Sequence, residues 1–232
     1  MQAFPENLVD LQAYRDREGI FSDRHHAGRI LAGLLNGQVD PGSIILAIPA
    51  GGVPVACALA ESLDLDVDVM VVSKITFPWN SEAGYGAVAQ NGLVRLNERI
   101  MNRVRLSETE IKTGIAATTA KVNQRSKALR GENPPKDLAH HHVILVDDGL
   151  ASGTTMSVAL EAVAQMDVAS VALAVPTAHL DSIRWIGDRA DRVFCANVRS
   201  GLSFAVAAAY QEWSDVSEAR MVELWTQRFQ RP

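Results

Sequence analysis

Residues 143–156 read VILVDDGLASGTTM, and this stretch joins two chemistries. Val143, Ile144, Leu145 and Val146 predict a buried strand, with Asp147 and Asp148 at its carboxyl end. A turn through Gly149, Ser152 and Gly153 then leads into a predicted helix. In open α/β sheets, ligands bind beyond the carboxyl ends of the strands. A helix start offers backbone N–H groups, here joined by the hydroxyls of Ser152, Thr154 and Thr155, and such a site takes a phosphate without needing a cation. Adjacent carboxylates repel a phosphate, but they accept hydrogen bonds from a sugar diol or help hold a divalent cation. A ribose 5-phosphate meets both demands.

A second candidate is Ile48-Pro49-Ala50-Gly51-Gly52-Val53-Pro54. A strand ends there, two glycines let the backbone approach a ligand, and Pro54 suits a first helical turn. An ordinary strand-to-helix turn carries the same local signature. Lys74 follows the apolar run at 67–72 and precedes residues 76–92, TFPWNSEAGYGAVAQNG, the longest stretch without a clear period. It reads as a long loop of the kind that serves as a lid or binding segment. Competing motifs fail. No G-x-x-x-x-G-K-[ST] and no G-x-S-x-G occurs, and the G-x-G-x-x-A match at Gly84 neither directly follows a strand nor opens a clear helix.

These groups need elements to hold them. Short β-branched runs at 44–48, 67–72, 143–146, 169–175 and 193–194 alternate with stretches of helical spacing, the pattern of βαβ units and a parallel sheet. The central runs are apolar on both faces rather than alternating, as in strands covered by helices on each side. Ser22 is placed to cap a helix through Ala27, Ile30, Leu31, Leu34 and Leu35 that ends at Asn36-Gly37. Ser107 and Glu110 form a capping box. A further helix starts after Gly153, and an amphipathic one runs through Val222, Leu224, Trp225 and Phe229. Arg95, Arg99 and Arg103 form a basic stripe if that stretch is helical, and the usual explanation is a solvated face or subunit contact. The runs His25-His26 and His140-His141-His142 lack the i, i+4 pairing with Glu of a helical zinc site.

With 232 residues, a net charge of −5, 47% hydrophobic and 21% charged residues, the chain fits one large α/β domain. The mild acidic excess argues against nucleic acid as a partner. No apolar run approaches the ~18 residues of a membrane span. Glu6, Asp10, Arg15, Asp16, Arg17 and Glu18 exclude a signal-peptide core from this stretch. Cys57 and Cys195 sit in apolar surroundings, which points to a reducing compartment and a cytoplasmic location.

VILVDDGLASGTT resembles the phosphoribosyl pyrophosphate (PRPP) signature of type I phosphoribosyltransferases. FSDRHHAGRILA, IPAGGVPVACALA, the strand ending at Lys74, EAGYGAV and AVP at 174–176 are similar to one branch of that family, of largely unassigned substrate. The resemblance implies a single domain over 1–232 with a parallel, Rossmann-like sheet flanked by helices and a small hood. It also implies a flexible flap at about 76–92, a helical insertion at about 97–131 and a C-terminal helix at about 214–229. On the family pattern Asp147 and Asp148 bind the ribose 2- and 3-hydroxyls and, through bound PRPP, Mg²⁺. Gly149, Leu150, Ala151, Ser152, Gly153, Thr154 and Thr155 hold the 5-phosphate, and Ala50, Gly51 and Gly52 with Lys74 receive pyrophosphate. A non-proline cis peptide is expected next to Ala50.

The implied reaction moves the 5-phosphoribosyl group from PRPP to a nitrogenous acceptor and releases pyrophosphate. Relatives often carry two basic residues where this chain has Ser73-Lys74, which weakens charge neutralisation there. Some purine-specific relatives carry an acid where this chain has Ala151, so the loop supplies no general acid or base. Arg199, Phe204 and Tyr210 mark the stretch where an acceptor pocket is expected. Glu82 and Tyr85 are flap candidates, and Arg24 is divided between pairing with an acid and touching a ligand. A non-catalytic sensor of PRPP or nucleotides on the same fold, or a different phosphate-binding α/β enzyme, are the alternatives, and a homodimer is open.

Overall fold

The structure is a computed structural model that describes residues 4–229; the side chains of Ser81, Glu82, Arg99 and Phe229 lie outside the described set. In chain order the elements are β1 (Leu8–Asp10), α1 (Arg24–Leu35), β2 (Ile44–Ala47), α2 (Gly52–Leu63), β3 (Asp66–Val69), β4 (Val72–Phe77), β5 (Asn80–Ala89) and β6 (Val94–Leu96). There follow α3 (Glu98–Met101), α4 (Glu108–Arg130), β7 (His142–Val146), α5 (Thr154–Ala164), β8 (Ser170–His179), α6 (Leu180–Gly187), β9 (Arg192–Arg199) and α7 (Glu218–Phe229). Among the described residues, six strands form one parallel sheet in the order β1-β9-β8-β7-β2-β3.

The central strands β2 and β7 read as almost wholly apolar because each feeds two cores. Ile45, Ala47, Ile144 and Val146 pack with α1 and α2 residues such as Leu31 and Leu59, and with Trp225 of α7. Ile44, Leu46, Val143 and Leu145 pack on the other face with α5 and α6 residues such as Leu160 and Ile183. A side-chain period of two sends neighbours to opposite faces, so a strand covered by helices on both sides needs no polar positions. Among the described residues no helix is long and apolar enough to cross a membrane.

Residues 76–92 depart from the expected loop. They supply most of a second sheet, antiparallel and ordered β4-β5-β6, in which Lys74 pairs with Ala87 and Gly86 with Leu96. The glycines that signalled a loop answer a need for closeness instead. A Cβ on Gly84 would lie 2.3 Å from Cγ of Lys74, whose side chain crosses it from β4. Tyr85 is buried between β5 and α4, where a Cβ on Gly114 would come within 2.1 Å of its hydroxyl, so it is a packing residue.

Other boundaries shift for local reasons. Asp23, not Ser22, caps α1, its carboxylate accepting from the His26 amide at 2.6 Å. Arg95 lies on β6 and pairs with Glu161 of α5, so the basic residues at 95, 99 and 103 share no helical stripe. The capping box of α4 forms as expected, with Ser107 and Glu110 each satisfying the other's backbone. Ser107→Ala therefore lowers unfolding stability by about 1 kcal/mol; an unchanged denaturation midpoint would contradict this. His140 to His142 precede or open β7, at the end of the strand opposite Asp147.

Candidate active site at the carboxyl ends of β2 and β7

The chain runs outward from β2 to β3 on one side and from β7 to β8 and β9 on the other, so strand order reverses between β2 and β7. Crevices of this kind receive ligands in open α/β sheets. Both candidate segments open there. Asp147 and Asp148 directly follow β7, while Ala50 and Gly51 join β2 to α2, and the Pro49–Ala50 peptide is cis as expected from the resemblance. The two segments touch. A Cβ on Gly51 would fall 2.0 Å from Oδ2 of Asp148, and one on Gly52 would fall 2.6 Å from the Val146 carbonyl oxygen. No side chain larger than hydrogen leaves both carboxylates where they are.

The turn after the acids is built as a rigid shelf. Leu150 donates its N–H to Thr177 and accepts from the His179 N–H, at 2.9 and 3.1 Å, which extends the sheet beyond β7. The Ala151 carbonyl accepts from the Ser182 hydroxyl. Gly153 then takes a φ of +71° as the residue before α5, and the hydroxyls of Ser152 and Thr154 stand 3.2 Å apart at the helix start. A helix N-terminus with hydroxyls beside it binds anions through N–H groups and the helix dipole.

Residues 24–213 match the model of the phosphoribosyl transferase domain family. The chain belongs to that family. "Putative phosphoribosyl transferase Rv0571c" from Mycobacterium tuberculosis (strain ATCC 25618 / H37Rv) is 30% identical over 203 residues, covering 88% of this chain and 46% of that protein. "Putative phosphoribosyl transferase MT0597" from strain CDC 1551 / Oshkosh gives the same figures. The chain thus spans about half the length of the curated relatives it matches. The crystal structure of TT1426 from Thermus thermophilus superposes with a TM-score of 0.72 at 29% identity, covering 89% of this chain and 98% of that one.

Within this phosphoribosyl transferase domain the acidic pair is electrostatically loaded. Burial, then the neighbouring charge of Asp148, push the Asp147 carboxyl well above the usual carboxylate range. Burial also raises Asp148, and Arg24, 2.8 Å from its Oδ2, opposes that rise. Two carboxylates facing one guanidinium leave a negative charge uncompensated, which suits a hard cation with oxygen ligands. Among the described residues no group of three or more His, Cys, Asp or Glu could hold a metal by itself. The pair by itself would fill only part of a coordination shell.

The structure brings together Ala50, Gly51, Gly52, Asp147, Asp148 and the turn from Gly149 to Thr155. Lys74 belongs to the smaller sheet, exposed on β4. Glu82 is on β5, its side chain outside the described set. The stretch expected to hold an acceptor is largely engaged internally. Arg199 pairs with Glu18, the Phe204 ring lies edge-on to His179, and the Tyr210 hydroxyl donates to the Asp148 carbonyl at 2.6 Å. Just beyond it, Trp213 and Ser214 help line a cavity of about 770 Å³ with Arg24, Pro54, Cys57 and Leu224. Trp213 and Ser214 went unnoticed in the sequence, since nothing local marks a residue that meets α1 only in the folded chain.

Gly153 carries a separate expectation. At its φ of +71° a Cβ would also lie 2.3 Å from Cδ1 of Ile186, so Gly153→Val destabilises the unliganded protein by about 1–3 kcal/mol. Thermal unfolding of the variant without ligand checks this, and an unaltered melting temperature would refute it.

Proposed function

We propose that this protein transfers the 5-phosphoribosyl group of PRPP to a small nitrogenous acceptor and releases pyrophosphate. The observation that carries the reading is the meeting of three parts at one crevice: the Asp147–Asp148 pair, the α5 N-terminus behind its Ser/Thr turn, and the Gly51–Gly52 backbone pressed against the acids. In this reading the carboxylates grip the ribose hydroxyls, residues 149–155 take the 5-phosphate, and Ala50, Gly51 and Gly52 with Lys74 meet pyrophosphate.

The acceptor lone pair attacks the anomeric carbon as the bond from that carbon to pyrophosphate oxygen breaks. Charge develops on the ribose ring and the leaving group, so a fixed array of dipoles and charges accounts for most of what the protein contributes. Mg²⁺, held through PRPP and the acidic pair, would supply Lewis-acid neutralisation of the leaving group. Ala151 leaves the turn without a general acid or base, so the acceptor brings its own nucleophilic nitrogen or loses its proton to a group elsewhere.

The test is pyrophosphate release from PRPP and Mg²⁺ across a panel of nitrogenous bases. Turnover with one base and none with buffer alone is the expected result. Tight PRPP binding with no turnover on any base would move the chain to a sensing role, and absence of PRPP binding would reject the reading.

A further inference from the structure

Arg24 touches three groups at once. Its Nε donates to Oδ2 of Asp148 at 2.8 Å, its Nη1 donates to the Ser214 carbonyl oxygen at 2.8 Å, and its carbon Cζ lies 3.9 Å from the Trp213 ring centroid. Trp213 packs on Tyr210 with ring centroids 5.1 Å apart, and the Tyr210 hydroxyl returns to the backbone carbonyl of Asp148. The contacts close a ring: Asp148 side chain, Arg24, Trp213, Tyr210, Asp148 backbone. Arg24 is only 10% exposed at its side chain.

We infer that Arg24 is a positioning residue that locks the Asp148 carboxylate in one orientation by bracing it against the 210–214 segment. The inference deepens the proposed function and rests on it. The chemistry of the guanidinium explains the choice of residue. A planar fork with donors on separate edges can serve a carboxylate and a carbonyl while its face lies on an aromatic ring, which a lysine ammonium cannot do. The brace matters because a carboxylate free to turn pays for its ordering when the sugar binds. The start of α1 sets up this ring. Asp23 caps the helix, which places Arg24 at its first turn, aimed at the end of β7.

The experiment measures PRPP affinity with Mg²⁺ by calorimetry, into the millimolar range, for wild type, R24Q, R24K, W213L, D148N and the R24Q/D148N double variant. R24Q is expected to bind roughly 10–100-fold more weakly, R24K to recover part of that loss, and W213L to weaken binding several-fold while keeping both charged groups. The double variant should bind no worse than D148N alone, since Arg24 acts through that carboxylate. Wild-type affinity in R24Q, or an R24Q loss of full size in the D148N background, overturns the positioning role even though PRPP binds. If R24Q fails to fold, W213L decides: unchanged affinity there rejects the brace. If wild type itself does not bind PRPP, the phosphoribosyl reading falls and the positioning role falls with it, an outcome separate from the others.

Discussion

Gly51→Ala is expected to weaken PRPP binding by roughly 10–150-fold while the protein stays folded. The added Cβ would lie 2.0 Å from Oδ2 and 2.5 Å from Cγ of Asp148, and such contacts do not exist in proteins. The carboxylate must swing away, and it then leaves the Arg24 donor 2.8 Å distant. Hydrogen bonds to charged groups are worth about 1.5–3 kcal/mol, which converts to roughly that loss in affinity. The backbone itself tolerates alanine, since Gly51 has ordinary right-handed helical angles of −63° and −34°. Replacing glycine where the angles suit also narrows the unfolded ensemble, which offsets part of the steric cost. Binding and melting therefore separate, and calorimetry beside thermal unfolding measures both. A variant that binds PRPP as wild type does would mean that Asp148 does not meet the ligand.

Asp147→Asn is expected to bind PRPP about 100-fold more weakly or worse, and yet to unfold later than wild type at neutral pH. Asp147 is held above the usual carboxylate range by burial and then by the charge of Asp148. A raised folded-state value means that the folded protein holds this proton more tightly than the unfolded chain does. Its share of stability is fully present below the unfolded value, near 3.9, and is lost as pH rises through the folded value. Asparagine never ionises, keeps an oxygen for the Asp148 amide that now donates to Oδ1 at 2.8 Å, and so avoids the loss. A gain of about 1 kcal/mol is the usual size when a functional charge is relaxed. The advantage of the variant should be greatest at pH 8 and close on acidification. Urea unfolding from mildly acidic to pH 8 reads this, and a variant less stable than wild type at pH 8 would show that the buried charge is already compensated. Wild-type affinity for PRPP with Mg²⁺ should weaken as the pH drops through the same window, because the sugar and the cation favour the ionised pair.

The alternation of apolar runs with helical stretches was enough to predict a parallel α/β sheet, because a strand covered on both faces has no polar positions to hide its period. Residues 143–156 carried strand, acids, turn and helix start in one continuous stretch, so their mutual placement follows from local geometry alone. Residues 76–92 misled for an equally physical reason. Glycine signals either a turn or a close approach of two backbones, and the difference at Gly84 lies in Lys74, on the neighbouring strand. The short edge strand β1 and helix α6 were also missed, each being brief.

What the amino-acid order determined by itself was the family, the sheet type and the placing of the acidic pair beside a Ser/Thr turn and helix start, because each is written in residues close together along the chain. Only the tertiary structure decided that the Gly51 backbone presses on Asp148, that Arg24 is the partner of that carboxylate, and that Trp213 and Tyr210 complete the support. Those contacts join positions far apart along the chain, as Arg24 and Asp148 are with a separation of 124. No local pattern encodes them, since they exist only once β2 and β7 lie side by side and bring their ends to the same crevice.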